Sequence, residues 1–234
     1  MTKSCILAES LPIHNATLNL PRHPMPPSHD DPYEISHLTQ LEAIYPPVGL
    51  AAHRKEIDYL HPAYQAMIAA APFVVLATAG QDGLDCSPRG DPAGFVLIRD
   101  EHTLWLPDRP GNNRIDSLRN LLHDPRIALL FLIPGRGETL RVNGRAKLTQ
   151  NPDIMAECAI AGKEPRCVVV ITVETVFFQC ARALLRSGLW DPATATASAR
   201  IPSTGAILEA LTDSAIEGTT YDQNLDARQK NSLY

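Results

Sequence analysis

Between Leu140 and Leu148 the chain alternates without a break: Leu140, Val142, Gly144, Ala146 and Leu148 face one way, and Arg141, Asn143, Arg145 and Lys147 face the other. A period of two marks a strand with one side on a core, since a helix repeats its faces every ~3.6 residues. Other short apolar runs join it. FVVLAT (Phe73–Thr78) and IALLFLI (Ile127–Ile133) read as buried strands, and Val168–Phe178 as a long final one. Ala79–Gly83, with Asp82-Gly83 at the tip, predicts a hairpin turn from which Leu84–Ser87 returns antiparallel. Phe95–Ile98 and Thr103–Leu106 form a second pair around Arg99–His102. Six or seven antiparallel strands predict a mainly β, α+β fold built on a closed or split barrel, because closure removes exposed edges.

Helical signals flank these strands. Ser36 precedes HLTQLEAIY, and Pro46-Pro47 stop it; a second helix is predicted over Ala52–Leu60, and a third starts at Pro62 and runs to Pro72. A helix after Gly111–Asn113 carries Ile115, Leu118, Leu121 and Leu122 as its apolar face and ends at His123-Asp124-Pro125. Short helices are predicted from Asn151 or Pro152 to Ala159 and over Cys180–Ser187, and a weak one over Gly205–Ala215 precedes a polar tail. Residues 1–35 hold six of the twenty prolines and little periodicity, which predicts an extended arm; 36–192 form the barrel domain with its N-terminal helices, and 193–234 a C-terminal extension.

Composition narrows the function. A formal net charge of -5 and 6% aromatics argue against a nucleic-acid-binding surface, which needs a basic, aromatic face. The five cysteines are odd in number, scattered and without CxxC, so reduced thiols in a cytoplasm are predicted rather than a disulfide framework or structural zinc. His23, His29, Asp30 and Asp31 lack metal-ligand spacing. No apolar run approaches the ~20 residues of a membrane span.

The chemistry concentrates between Cys86 and Arg145, where nine arginines occur without a lysine. Arginine's planar fork suits bidentate phosphate recognition. Gly111-Asn112-Asn113-Arg114 reads as a glycine turn entering a helix, where unpaired N–H groups favour an anion and Arg114 is the wrong charge for the dipole. An N-capping Asn113 with a solvated Arg114 accounts for the same residues. In Ser87-Pro88-Arg89-Gly90-Asp91 the backbone approaches a ligand closely, or Arg89 simply pairs with Asp91; the embedded Arg-Gly-Asp is in the wrong context for integrin binding. Arg141, with Asn143 and Arg145, lines a ligand wall, an inter-subunit surface or solvent. Trp190 follows Arg186-Ser187 and either plugs the barrel end or serves a site. Phosphate-loop, dinucleotide, GxSxG and HExxH motifs are missing, and no nucleophile–base pair stands out, so an enzyme of this sequence relies on a cofactor.

SPRGDPAGF, LPDRPGNNR, the helix to HDPR, IALLFLIPG, ETLRVNGRA and CARALLRSGLWDP together resemble the pyridoxamine 5′-phosphate oxidase-like, FMN-binding split-barrel proteins, in particular a bacterial branch carrying GNNR and RSxLW. The resemblance covers about Leu41 to Pro192. It implies a six-stranded antiparallel split barrel that forms a homodimer with FMN at the subunit interface, and an FMN-dependent oxidoreductase acting on an unknown small molecule. It also implies roles: Arg89 and Arg114 as phosphate ligands, with Gly90 beside them and Asn113 assisting. Phe95 and Val96 match the strand beside the flavin, and Leu106-Pro107 the strand end at its ring or ribityl chain. Arg141 matches a position near the ring, and Arg186 and Trp190 resemble residues reaching the partner's site. The oxidase's C-terminal substrate-phosphate motif is not recognisable, and Gln179 stands where related branches carry His. Split-barrel relatives that use F420 or haem, and a non-catalytic flavin-binding or regulatory protein, are the alternatives.

Overall fold

The computed structural model describes residues 31–81, 83–194 and 201–234. His23, His29 and Asp30, most of the predicted arm, and Asp82 of the hairpin tip lie outside them. The chain divides into two compact units, Met1–Pro47 and Val48–Tyr234. Within the first, α1 (Leu38–Ala43) is a short helix capped by His37 rather than Ser36, because the Gln40 side chain folds back onto the His37 N–H at 3.0 Å.

The second unit is built on one seven-stranded antiparallel sheet: β1 (Phe73–Gly80), β2 (Gly83–Gly90), β3 (Leu97–Asp100), β4 (Thr103–Asp108), β5 (Arg126–Leu132), β6 (Thr139–Thr149) and β7 (Cys167–Gln179). Their order is β2-β1-β5-β6-β7-β4-β3, a split barrel with peripheral helices and one more strand than the six expected. The alternation read in β6 holds: Leu140, Val142 and Ala146 are buried and Arg141, Arg145 and Lys147 exposed. Across β1 the same pattern buries Val74, Leu76 and Thr78. Gly83, at φ +123°, opens β2 directly opposite Gly80, a turn geometry that L side chains resist. Between Asn143 and Gly144 the β6–β7 register shifts by a bulge, and Gly144 lies so close to β7 that a Cβ there would meet the Thr172 carbonyl oxygen at 2.0 Å.

Eight helices are present among the described residues. α2 spans Leu50–Arg54, shorter than the predicted 52–60, because Ile57 leaves the helix to bridge Val176. α3 (Pro62–Ala70) starts at its proline as predicted and buries Tyr64 and Ile68. α4 covers Asp116–His123. Its buried residues are Ser117, Asn120 and Leu121, whereas Leu122, assigned to the apolar face, is 72% exposed. The helix is turned by polar contacts to β1 and β2 that periodicity does not register. α5 (Pro152–Glu157) and α6 (Arg182–Ser187) are short; α7 (Thr204–Leu211) and α8 (Gly218–Asn231) pack as a hairpin, and α8 occupies what reads as a polar tail. No described helix is long and apolar enough to cross a membrane.

Leu60, Ile68, Leu76, Leu104, Leu106, Leu129, Phe131, Leu140 and Ile171 are fully buried in one core. Each such side chain contributes roughly 1.5–3 kcal/mol relative to exposure. Trp105, Met155, Cys158 and Val168 form a smaller second cluster.

Candidate functional site

β2 and β4 stand near opposite ends of the sheet order, yet Arg89 Nε lies 3.9 Å from Asp108 Oδ1, so the sheet curls until the two strands meet. Where they meet, with the start of α4 and the turn before it, there is a cleft of about 400 Å³. Its walls are β2 (Asp85 and Ser87 to Gly90), the end of β4 (Pro107, Asp108), Arg109 to Asn112 with Arg114, and Asp116 and Ser117 of α4; Phe95 adds an aromatic surface.

The polar side of the cleft is internally wired. Ser117 Oγ is a hub: it donates to Asp85, lies 2.9 Å from Ser87 Oγ, and accepts from Arg89 Nη2 at 3.4 Å. Arg114 Nε pairs with Asp116 at 2.9 Å, but its side chain is 76% exposed, so the pair is a surface one. Arg109 is the opposite case, its Nε donating to a nearly inaccessible Asp91 at 2.8 Å and its Nη2 to the Cys158 carbonyl at 2.8 Å. Three arginines thus face three aspartates, Asp85, Asp108 and Asp116, across one cavity. Burial pushes the Asp108 carboxyl above the ordinary carboxylate range, against the pull of Arg89 and Arg166. Its cross-strand neighbour Cys167 is pushed up to about 11, by burial first and then by the Asp108 charge.

Of the residues singled out from the sequence, Arg89, Gly90, Phe95, Pro107 and Arg114 line this cleft. Asn113 is exposed in the same turn with φ 60°, and the Asn112 side chain accepts from the Arg114 N–H at 3.0 Å. Those turn geometries delay the helix to Asp116, with Ile115 as its cap, so Asn113 is not the N-cap and Arg114 is not in the first turn. Asp116 fills that turn and suits the dipole. Phe95 and Val96 are buried but precede β3 instead of lying in it, and Leu106 is wholly in the core.

Arg141, Arg186 and Trp190 line other parts of the chain. Arg141 lies exposed on β6, its guanidinium 5.4 Å from the Phe177 ring centroid and bonded to the Gln179 amide oxygen at 2.8 and 3.1 Å. Arg186 is exposed in the last turn of α6, and Trp190 Nε1 donates to the Arg136 carbonyl at 2.8 Å. Sequence reasoning missed Asp85, Ser117, Asp108 and Arg109. Arg109 was visible only as part of LPDRPGNNR, and nothing local marks a serine or aspartate that meets its partner across strands.

A family model described as pyridoxamine 5′-phosphate oxidase matches residues 60–180. Among solved structures, HupZ of Group A Streptococcus shares 18% identity, with a TM-score of 0.43, over 51% of this chain and 94% of that one. A Clostridium acetobutylicum protein related to general stress protein 26, of the pyridoxinephosphate oxidase family, shares 14%, with a TM-score of 0.39, over 50% and 86%. General stress protein 26 of Bacillus anthracis shares 13%, with a TM-score of 0.37, over 48% and 88%. No curated protein matches. With the family match spanning more than half of the 234 residues, from the strand-bearing core through both cleft walls, the chain belongs to the pyridoxamine 5′-phosphate oxidase family.

Proposed function

We propose that the cleft binds FMN by its phosphate and that the protein is a homodimeric, cytoplasmic, FMN-dependent oxidoreductase acting on a small molecule. The observation that carries this reading is the convergence of Arg89 and Arg114 with the Ser87 and Ser117 hydroxyls on one cleft of about 400 Å³. That volume lies within the range of small-molecule sites, roughly 300–1,000 Å³. The donor set fits a phosphate: two guanidiniums supply charge-assisted hydrogen bonds, and Arg114, paired with Asp116 only at the surface, is open to meet it. Phe95 and Pro107 supply apolar wall for a ring system.

When bound, FMN supplies hydride exchange at its ring N5. The chain's own residues bind, orient and exclude water. Arg141, Arg186 and Trp190 lie outside the cleft of a single copy; in the dimeric reading a second copy brings them to it, and Arg141 adds a fixed positive charge beside the ring. Among the described residues lining the cleft there is no His, Cys, Met or Tyr to ligate haem iron, which favours flavin over haem.

The test is the absorption spectrum of the purified protein, recorded before and after adding FMN and desalting. Flavin bands that survive desalting, and that Arg114→Ala loses, support the reading. A protein that stays colourless overturns it. Competition with F420 separates the deazaflavin alternative, and a donor and acceptor screen separates an enzyme from a flavin-binding protein without turnover.

A further inference from the structure

Three arginines and three aspartates line the cleft, so its formal charge is zero before any ligand enters. The aspartates are not placed alike. Asp85 accepts from the Ser117 hydroxyl, and Asp116 pairs with Arg114 at the surface, where water and salt screen the charge. Asp108 stands 3.9 Å from Arg89 Nε, and the two side chains are only 17% and 22% exposed. A phosphate bound at Arg89 therefore meets a carboxylate already there. Two anions on one guanidinium repel strongly where water is partly excluded.

Every element around Asp108 brings a charged or titratable group. Arg89 and Asp85 come from β2, Arg114 and Asp116 from the turn and α4 across the cleft, and Arg109 follows in the chain. Where β7 begins, the Arg166 N–H donates to the Asp108 carbonyl oxygen at 3.0 Å, and Cys167 is the register partner. Burial already outweighs the pull of Arg89 and then Arg166, so the Asp108 carboxyl sits above the ordinary carboxylate range with both cations present. A phosphate that takes Arg89 cancels the larger of those two pulls and adds an anion beside the carboxyl. Cys167, pushed up to about 11, stays a neutral thiol at neutral pH and does nothing to offset it.

We propose that Asp108 competes with the ligand's phosphate for Arg89 and takes up a proton from solvent when the phosphate binds. Asp108 is then a specificity-determining residue, and binding of the phosphorylated ligand is proton-coupled. The neutral carboxyl offers an O–H donor where the carboxylate offered a repelling charge. This rests on the phosphate-binding reading of the cleft.

The experiment titrates the full chain and its Asp108→Asn variant with FMN and with riboflavin, which lacks the phosphate, from about pH 5 to about pH 8. Asparagine keeps the shape of the side chain and removes the charge. Asp108→Asn raises the preference for FMN over riboflavin by about tenfold at the upper end of that range, the effect of one like charge removed from beside the phosphate. The gain shrinks as pH falls, because the unaltered carboxyl then protonates by itself. The phosphate's own titration is common to both proteins and cancels in the comparison. Sulfate, whose charge is constant over the range, gives a second measurement on the unaltered protein alone: its inhibition constant against FMN falls as pH falls. That measurement carries the test if Asp108→Asn fails to fold. If Asp108→Asn lowers the preference for FMN, Asp108 holds Arg89 in place for the phosphate, and competition is overturned. An unchanged preference, a gain equal at every pH, or a sulfate constant indifferent to pH also overturns it, and the phosphate site stands. An unaltered chain that binds neither flavin, or both alike, overturns the phosphate reading and this assignment with it.

Discussion

Asn120 Nδ2 donates to Thr78 Oγ1 at 3.2 Å, a buried bond that locks α4 onto β1. Gly80 makes room for it, since a Cβ at that position would meet Asn120 Oδ1 at 2.1 Å. Gly80→Ala therefore destabilises by about 1–3 kcal/mol, read from chemical denaturation, through overpacking and loss of the bond. Adding Asn120→Ala to it recovers part of that loss, because the obstructing atoms belong to a side chain.

Gly144→Ala is the harsher case. The atom in its way is the Thr172 carbonyl oxygen, held in the β6–β7 ladder at the bulge, and backbone cannot turn aside as a side chain can. A loss of about 3 kcal/mol is expected, with no rescue from truncating a neighbouring side chain.

Ser117→Ala removes the hub between Asp85, Ser87 and Arg89 and leaves the Asp85 carboxylate short of a donor. The expected cost is about 1–3 kcal/mol of stability, together with weaker FMN retention than in the unaltered protein. Retention equal to the unaltered protein would remove Ser117 from the binding set.

Much of the scaffold was legible because it is local. The Leu140–Leu148 alternation named its own faces, Pro62 marked the start of α3, and LPDRPGNNR marked the cleft turn. The buried face of α4 was not, because Ser117 and Asn120 are polar and earn burial only from partners on β1 and β2. Arg109–Asp91 and Tyr234–Asp91 span 18 and 143 residues, separations at which no periodicity speaks. α8 has too few apolar residues to announce itself; it is held partly by main-chain contact, Gly205 against Gly218, and by Asp222 accepting from the Gly205 N–H at 2.7 Å.

The thiols divide by environment. Cys180 is exposed and its thiol is lowered, chiefly by the Arg182 backbone N–H and then by the Arg182 charge, whereas Cys167 and Cys158 are raised by burial. At pH 7.5 iodoacetamide followed by peptide mass spectrometry labels Cys180 well ahead of Cys158 and Cys167. Prompt labelling of Cys167 would contradict the fold around Asp108. Because the folded Cys167 value lies above the unfolded one, its contribution to stability is complete below about 9 and is lost as pH rises through about 11.

Asp124 behaves oppositely. Its carboxylate accepts from the Arg126 N–H and guanidinium, which hold it down at about 2. The stabilisation is present above the ordinary value near 3.8 and fades as pH falls through about 2. Arg126→Ala returns the Asp124 titration, followed by NMR, toward the ordinary carboxylate value.

Arg89 and Asp108 bring together strands from nearly opposite ends of the sheet order across a gap that hydrogen bonding of the ladder does not close. An occupant gripping Arg89 and the turn after β4 therefore acts as a suture along that seam. On the proposed FMN-binding reading, occupancy slows the parting of the barrel's two lips, so amide exchange in β2 and β4 falls on adding FMN, and an unloaded chain is the one a protease opens first.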